Sequence, residues 1–169
     1  GNDSETNNRA GNIAVGLCNR ITCGTRSIAV GYLNCLSDVC GRNSVMLGNE
    51  NFIGEGATGT MILGNNSIGG TGACLSAVLG TTNTINAPQS LVLGRCNTVL
   101  DECAGTCNNI FIGNCNTSCC QVANPMRCNI QIGNNNISVG NNDRNIMLGN
   151  FNKVCAFNGI TIGENNTSY

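Results

Sequence analysis

A chain of 169 residues fits one domain by length, and 8 basic against 9 acidic residues (net charge −1) leave no basic stripe able to displace counterions from a nucleic acid. With no His, no Trp, only 4% aromatics, 23 glycines and still more asparagines, the composition disfavours long helices and removes every catalytic or metal-binding scheme that needs an imidazole. Thirteen cysteines, an odd number, point to an oxidising exterior with disulfides bracing a thin core and one thiol left free or paired between chains. A surface so poor in charge has little electrostatic repulsion and should associate readily.

Residues 1–11 are polar and lack an apolar period, so they read as an N-terminal tail or cap; residues 12–169 form one repeat domain. Its aliphatic triplets begin with Ile13-Ala14-Val15, Ile28-Ala29-Val30, Val45-Met46-Leu47, Met61-Ile62-Leu63 and Ala77-Val78-Leu79. They continue with Leu91-Val92-Leu93, Ile110-Phe111-Ile112, Ile130-Gln131-Ile132, Ile146-Met147-Leu148 and Ile160-Thr161-Ile162. Each triplet runs into a turn glycine: Gly16, Gly31, Gly48, Gly64, Gly80, Gly94, Gly113, Gly133, Gly149 and Gly163. The spacing averages about 16 residues, too short for a helix pair or a propeller blade but enough for one coil of two short strands and two turns. The expected fold is all-β: a parallel β-solenoid or β-roll of about ten short coils stacked roughly 4.8 Å apart. Asn stands three residues after the glycine in every repeat but one, where Ser67 replaces it. Stacked amides could bond along the axis as a ladder, or Asn could merely suit the turn; the sequence leaves both open.

Alternation within the triplet separates two faces. Taking the first and third residues as the coil's own core leaves the middle residues Ala14, Ala29, Met46, Ile62, Val78, Val92, Phe111 and Met147 facing outward. Gln131 and Thr161 are the polar exceptions. An outward apolar stripe is rare on a soluble monomer, so this column is expected to be buried against another chain.

The repeats resemble the YadA-like head repeats of trimeric autotransporter adhesins, which read roughly Asn-Ser-Val-Ala-Ile-Gly. The resemblance rests on Asn43-Ser44-Val45-Met46-Leu47-Gly48, Ser27-Ile28-Ala29-Val30-Gly31 and Asn12-Ile13-Ala14-Val15-Gly16, and it covers nearly the whole chain from Asn12. It implies a left-handed parallel β-roll in a three-fold homotrimer, with one sheet of each roll against its neighbours. Similar repeats occur in fibres of phages and large viruses. The chain departs from the family's heads in its cysteine content and in lacking any heptad run for a coiled-coil stalk.

The disulfide candidates are Cys18, Cys23, Cys35, Cys40, Cys96, Cys103, Cys107, Cys115, Cys119, Cys120 and Cys128. Stacked coils place Cα atoms within disulfide range, so a staple between Cys96 and Cys115, each two residues after its glycine, is geometrically natural. Zinc held by four thiolates is the weaker reading, since no C-x2-C knuckle occurs. The crowding from Cys96 to Cys128 suggests a cross-linked bulge there. Glycosylation sequons stand at Asn65, Asn116, Asn136 and Asn165. Acids such as Asp101, Glu102 and Asp143 have no spaced partner for general acid/base work.

No run of about 20 apolar residues exists to cross a membrane, and no leader opens the chain, so an exported form is expected to have lost one or to leave by another route. The expected function is therefore non-enzymatic and needs no cofactor or metal. The reading is an extracellular structural subunit at a cell, spore or virion surface, whose partner is itself, as a homotrimer or a larger fibre, appendage or coat. The alternative is an adhesive or receptor-binding head that recognises a host or matrix ligand through its outward turns. Ice binding is a minor third reading, because Thr81, Thr82 and Thr84 are too local to form a flat rank.

Overall fold

The computed structural model describes residues 5–6, 11–22, 24–37, 42–70, 73–100, 108–119, 129–139, 144–155 and 158–169. Every aliphatic triplet, its glycine and the residue after it form a five-residue strand, from Ile13–Leu17 and Ile28–Tyr32 through Leu91–Arg95 to Ile146–Asn150 and Ile160–Glu164. These long strands pair in parallel as one ten-stranded sheet, in register: Val78 lies beside Val92 and Val92 beside Phe111, and Gly80, Gly94 and Gly113 align in the same way. Between them run short strands of two or three residues, such as Arg20–Ile21, Phe52–Ile53 and Thr98–Leu100, which pair in parallel as a second sheet. Glu5–Thr6 joins the edge of that sheet beside Arg20–Ile21, bringing its strand number to eleven. The chain alternates between the sheets, so neighbours within each sheet are one coil apart. This is an all-β parallel solenoid, with no helix among the described residues.

The interior corrects the sequence-based assignment of faces. The middle residues Ala29, Met46, Ile62, Val78, Val92, Phe111 and Met147 do not face outward; they are fully buried, and Ala14 packs against the same core. Opposite them stands one inward residue from each short strand, including Ile21, Leu36, Ile53, Ile85, Val99 and Val154. The reason is width. A short strand closed by tight turns offers one inward side chain, so the space opposite accepts one column from the long strand, and the first and third residues must turn out. Full burial of each aliphatic is worth about 1.5–3 kcal/mol.

A buried polar row completes the core. Asn97 shows its geometry: its Nδ2 donates to the carbonyl of Gly113 at 2.7 Å and to Asn83 Oδ1 at 3.2 Å, while its own Oδ1 accepts the backbone N–H of Asn116 at 3.0 Å. The same pattern joins Asn19 to Asn34 and Asn34 to Asn51, and it recurs from Asn116 through Asn136 and Asn152 to Asn166. Of the two readings left open by the sequence, the ladder is the one realised. At the break, Ser67 Oγ still accepts the N–H of Asn83 at 3.3 Å. The repeat glycines have φ between 113° and 151°, and a Cβ at Gly94 would collide with the Gly113 carbonyl that the ladder uses. Two residues further on, the chain turns through left-handed backbone even without glycine, as at Cys96 (φ 56°), Leu33 (53°) and Phe151 (56°).

A second buried row precedes the long strands: Ser27, Ser44, Thr60, Ser76, Ser90, Asn109, Asn129 and Asn145. Ser44 Oγ donates to the Ala57 carbonyl at 3.0 Å and Ser76 Oγ to that of Ala87 at 3.0 Å. Thr60 bonds the Ala73 carbonyl in the same way. Gln131 replaces an aliphatic in the core column; its Nε2 reaches the Thr117 carbonyl at 3.2 Å, but its buried Oε1 has no partner.

Two stability outcomes follow. Gly94→Ala forces a side chain into an occupied backbone position at a φ that alanine avoids, and should lower stability by about 3 kcal/mol in urea denaturation. Gln131→Leu removes an orphaned buried acceptor and should raise the denaturation midpoint by an amount equivalent to about 1 kcal/mol.

Candidate interaction surface

Because the middle column is internal, the first and third residues of the long strands form two columns on the outside of the ten-stranded sheet. At every strand both positions hold Ile, Val, Leu, Met or Ala. Exposure reaches 53% at Val15, 39% at Leu47 and Ile132 and 68% at Ile162, while residues such as Val30, Leu93 and Ile112 are half-buried by their own neighbours. The face is a strip about 45 Å long at roughly 4.8 Å per strand. Purely parallel sheets are ordinarily covered on both faces. Here one face meets the short strands, and no other element among the described residues covers the second.

One edge of the strip is polar. From Asn49 onward the fifth residues of the long strands are polar, after Leu17 and Tyr32 in the first two. They include an outward amide rank in which Asn114 Nδ2 donates to Asn134 Oδ1 and Asn134 Nδ2 to Asn150 Oδ1, both at 2.9 Å. Arg95 and Glu164 are the charged members of this column. An apolar centre with a polar rim is the ordinary anatomy of a protein–protein interface. The other outer face, on the short strands, is mixed: Phe52 and Ile68 are exposed side by side, and Thr84, Thr98 and Thr117 align further along.

The two links in each coil differ. From long strand to short strand there are always two residues, such as Cys96 and Asn97, since the ladder fixes their geometry. The opposite corner varies freely, from the short link between Asn86 and Leu91 to the long one between Cys119 and Ile130. The two longest links, between Leu100 and Ile110 and between Cys119 and Ile130, begin in the stretch from Cys96 to Cys128, the place of the expected bulge. Cys96 and Cys115 lie instead in the constant turns of neighbouring coils, after the paired residues Arg95 and Asn114.

Among the described residues, Cys18, Cys35, Cys74, Cys96, Cys115 and Cys155 carry free thiols, so the expected Cys96–Cys115 staple is not formed in this structure. Cys23, Cys40, Cys103, Cys107, Cys120 and Cys128 lie outside the described residues, as does the side chain of Cys119. No group of three or more cysteines and carboxylates converges as metal ligands do among the described residues. Burial pushes the Cys35 thiol above its ordinary value, and the Arg20 guanidinium on the adjoining strand offsets part of that rise. Of the sequons, Asn65 and Asn165 are exposed. Asn116 and Asn136 are fully buried with their amides committed to the ladder, which corrects their reading as glycan acceptors.

No protein-family model and no curated protein matches the chain.

The thiol environments predict a reactivity order. At pH 7–8, exposed Cys115 should be alkylated by iodoacetamide several-fold faster than Cys35, whose raised pKa leaves less thiolate. Peptide mapping after timed quenching measures both rates.

Proposed function

We propose that this chain is a non-enzymatic structural subunit that self-associates through the outer face of its ten-stranded sheet and builds an extracellular fibre, appendage or coat. The observation that carries the reading is the pair of unbroken aliphatic columns on that face. A second copy supplies the same kind of surface, and a cyclic arrangement lets each roll bury its strip against its neighbours. The resemblance to YadA-like head repeats favours three-fold symmetry. The cysteine content favours disulfide bracing once the protein meets an oxidising environment, and the stacked turns of Cys96 and Cys115 support a link there.

The second reading is an adhesive or receptor-binding head. What favours it is that length variation is confined to one corner of the coil, since variable loops on a rigid scaffold are where recognition commonly resides. The two readings are compatible, because the corner and the strip occupy different parts of the coil.

Light scattering tests the assembly. The chain is 17.5 kDa, so a trimer would weigh about 52 kDa, three times that value. Leu93→Asp puts a charge on the outer strip without touching the core, and should release monomers that keep their β circular dichroism. A dispersed monomer for the unaltered protein at high concentration would overturn the reading.

A further inference from the structure

At the variable corner, between the coils that contain Ser27 and Ser44, lies a recess of about 360 Å³ lined by Thr25, Arg26, Arg42 and Asn43. That volume falls at the lower end of the ordinary small-ligand range, roughly 300–1,000 Å³. All four described lining side chains offer hydrogen-bond donors, and none of them is acidic.

The backbone of both coils is fixed here. Thr25 bridges Arg42 in parallel, Asn43 N–H donates to the Thr25 carbonyl at 3.0 Å, and Gly59 N–H donates to that of Arg42 at 2.8 Å. Arg26 (φ 56°) and Asn43 (φ 59°) both turn through left-handed backbone, and the Arg26 stem packs over Gly11, which has no side chain to displace it. Two exposed guanidinium groups are thus carried on adjacent coils, one residue out of step. Neither has a hydrogen-bond or ion-pair partner among the described residues. Two like charges lining one recess favour a bound anion, and paired guanidinium forks suit an oxyanion that accepts several hydrogen bonds at once.

We propose that the recess formed by Thr25, Arg26, Arg42 and Asn43 is a binding site for a tetrahedral oxyanion, a sulfate or phosphate group carried on a larger molecule or free in solution. Arg26 and Arg42 supply the charge, and Thr25 and Asn43 supply neutral donors. The space beyond a single sulfate leaves room for part of a sugar ring. The site needs only the fold of these two coils, so it stands apart from the assembly reading.

The test is calorimetric titration of the full chain at low salt with four probes: sodium sulfate, inorganic phosphate, a sulfated hexasaccharide and its desulfated counterpart. The expected result is saturable binding of the sulfated hexasaccharide that weakens at least tenfold in Arg26→Gln and in Arg42→Gln. It should be unchanged in Arg144→Gln, an exposed arginine in left-handed backbone further along the solenoid. Free sulfate or phosphate binding as tightly as the saccharide, with the same arginine dependence, would support the site and assign it to the free ion. Equal binding of the desulfated saccharide, equal loss in Arg144→Gln, or no binding of any probe would overturn the proposal. Light scattering on each variant should show an unchanged assembly, which keeps a failure here separate from a failure of the assembly reading.

Discussion

The buried asparagine that bridges one coil to the next is the interaction on which the rest of the structure depends. Each turn exposes backbone groups to an apolar interior, and an unpaired one would cost about 1–3 kcal/mol. An Asn amide has donors and an acceptor in one plane, so one side chain can satisfy the neighbour's N–H while binding the next glycine's carbonyl. Asn97 does this with Asn116 and Gly113. Glycine at position 94 and its equivalents follows from the same need, because any Cβ would occupy the place of that carbonyl.

This constraint explains why the coil has one constant link and one free one. The turn after each long strand must present the ladder residue in register, so its length never changes, and even Leu33 and Phe151 accept left-handed backbone to keep it. The opposite corner is held by Ser and Thr hydroxyls bonded to nearby carbonyls and by Asn109, Asn129 and Asn145, whose Oδ1 atoms accept a backbone N–H from the next coil. Chain can be inserted before them without disturbing the stack. The recess between Arg26 and Arg42 is a feature of that freer corner.

A narrow solenoid also sets its own surface. The interior takes one side chain from each strand, and the remaining aliphatics of a five-residue strand must stand outside. A compact sandwich could bury both faces of such a sheet within one chain, but coils of this size cannot. The same width that keeps the core thin therefore leaves an apolar face on the outside of the long sheet. The core itself is not wholly apolar: Gln131, Thr161, Ser118 and Ser138 sit in columns filled mostly by aliphatics.

Much of this was legible in the residues alone. The spacing of Gly16, Gly31 and their successors determined the coil, because a period near 16 residues admits little else, but the triplets fell two residues short of each long strand. The glycines read as turn residues lie inside the strands, and the turn begins after the residue that follows them. What alternation could not determine was which side of the strand faces in. Val92 and Leu93 are equally apolar, and a period of two separates faces without ranking them. The tertiary structure decided it, since closure against Val99 admits Val92 and excludes Leu93. The ladder was half legible for the same reason: the repeated Asn suits an isolated turn as well as a stack, and only the register of adjacent coils brings Asn97 within reach of Asn83 and Gly113.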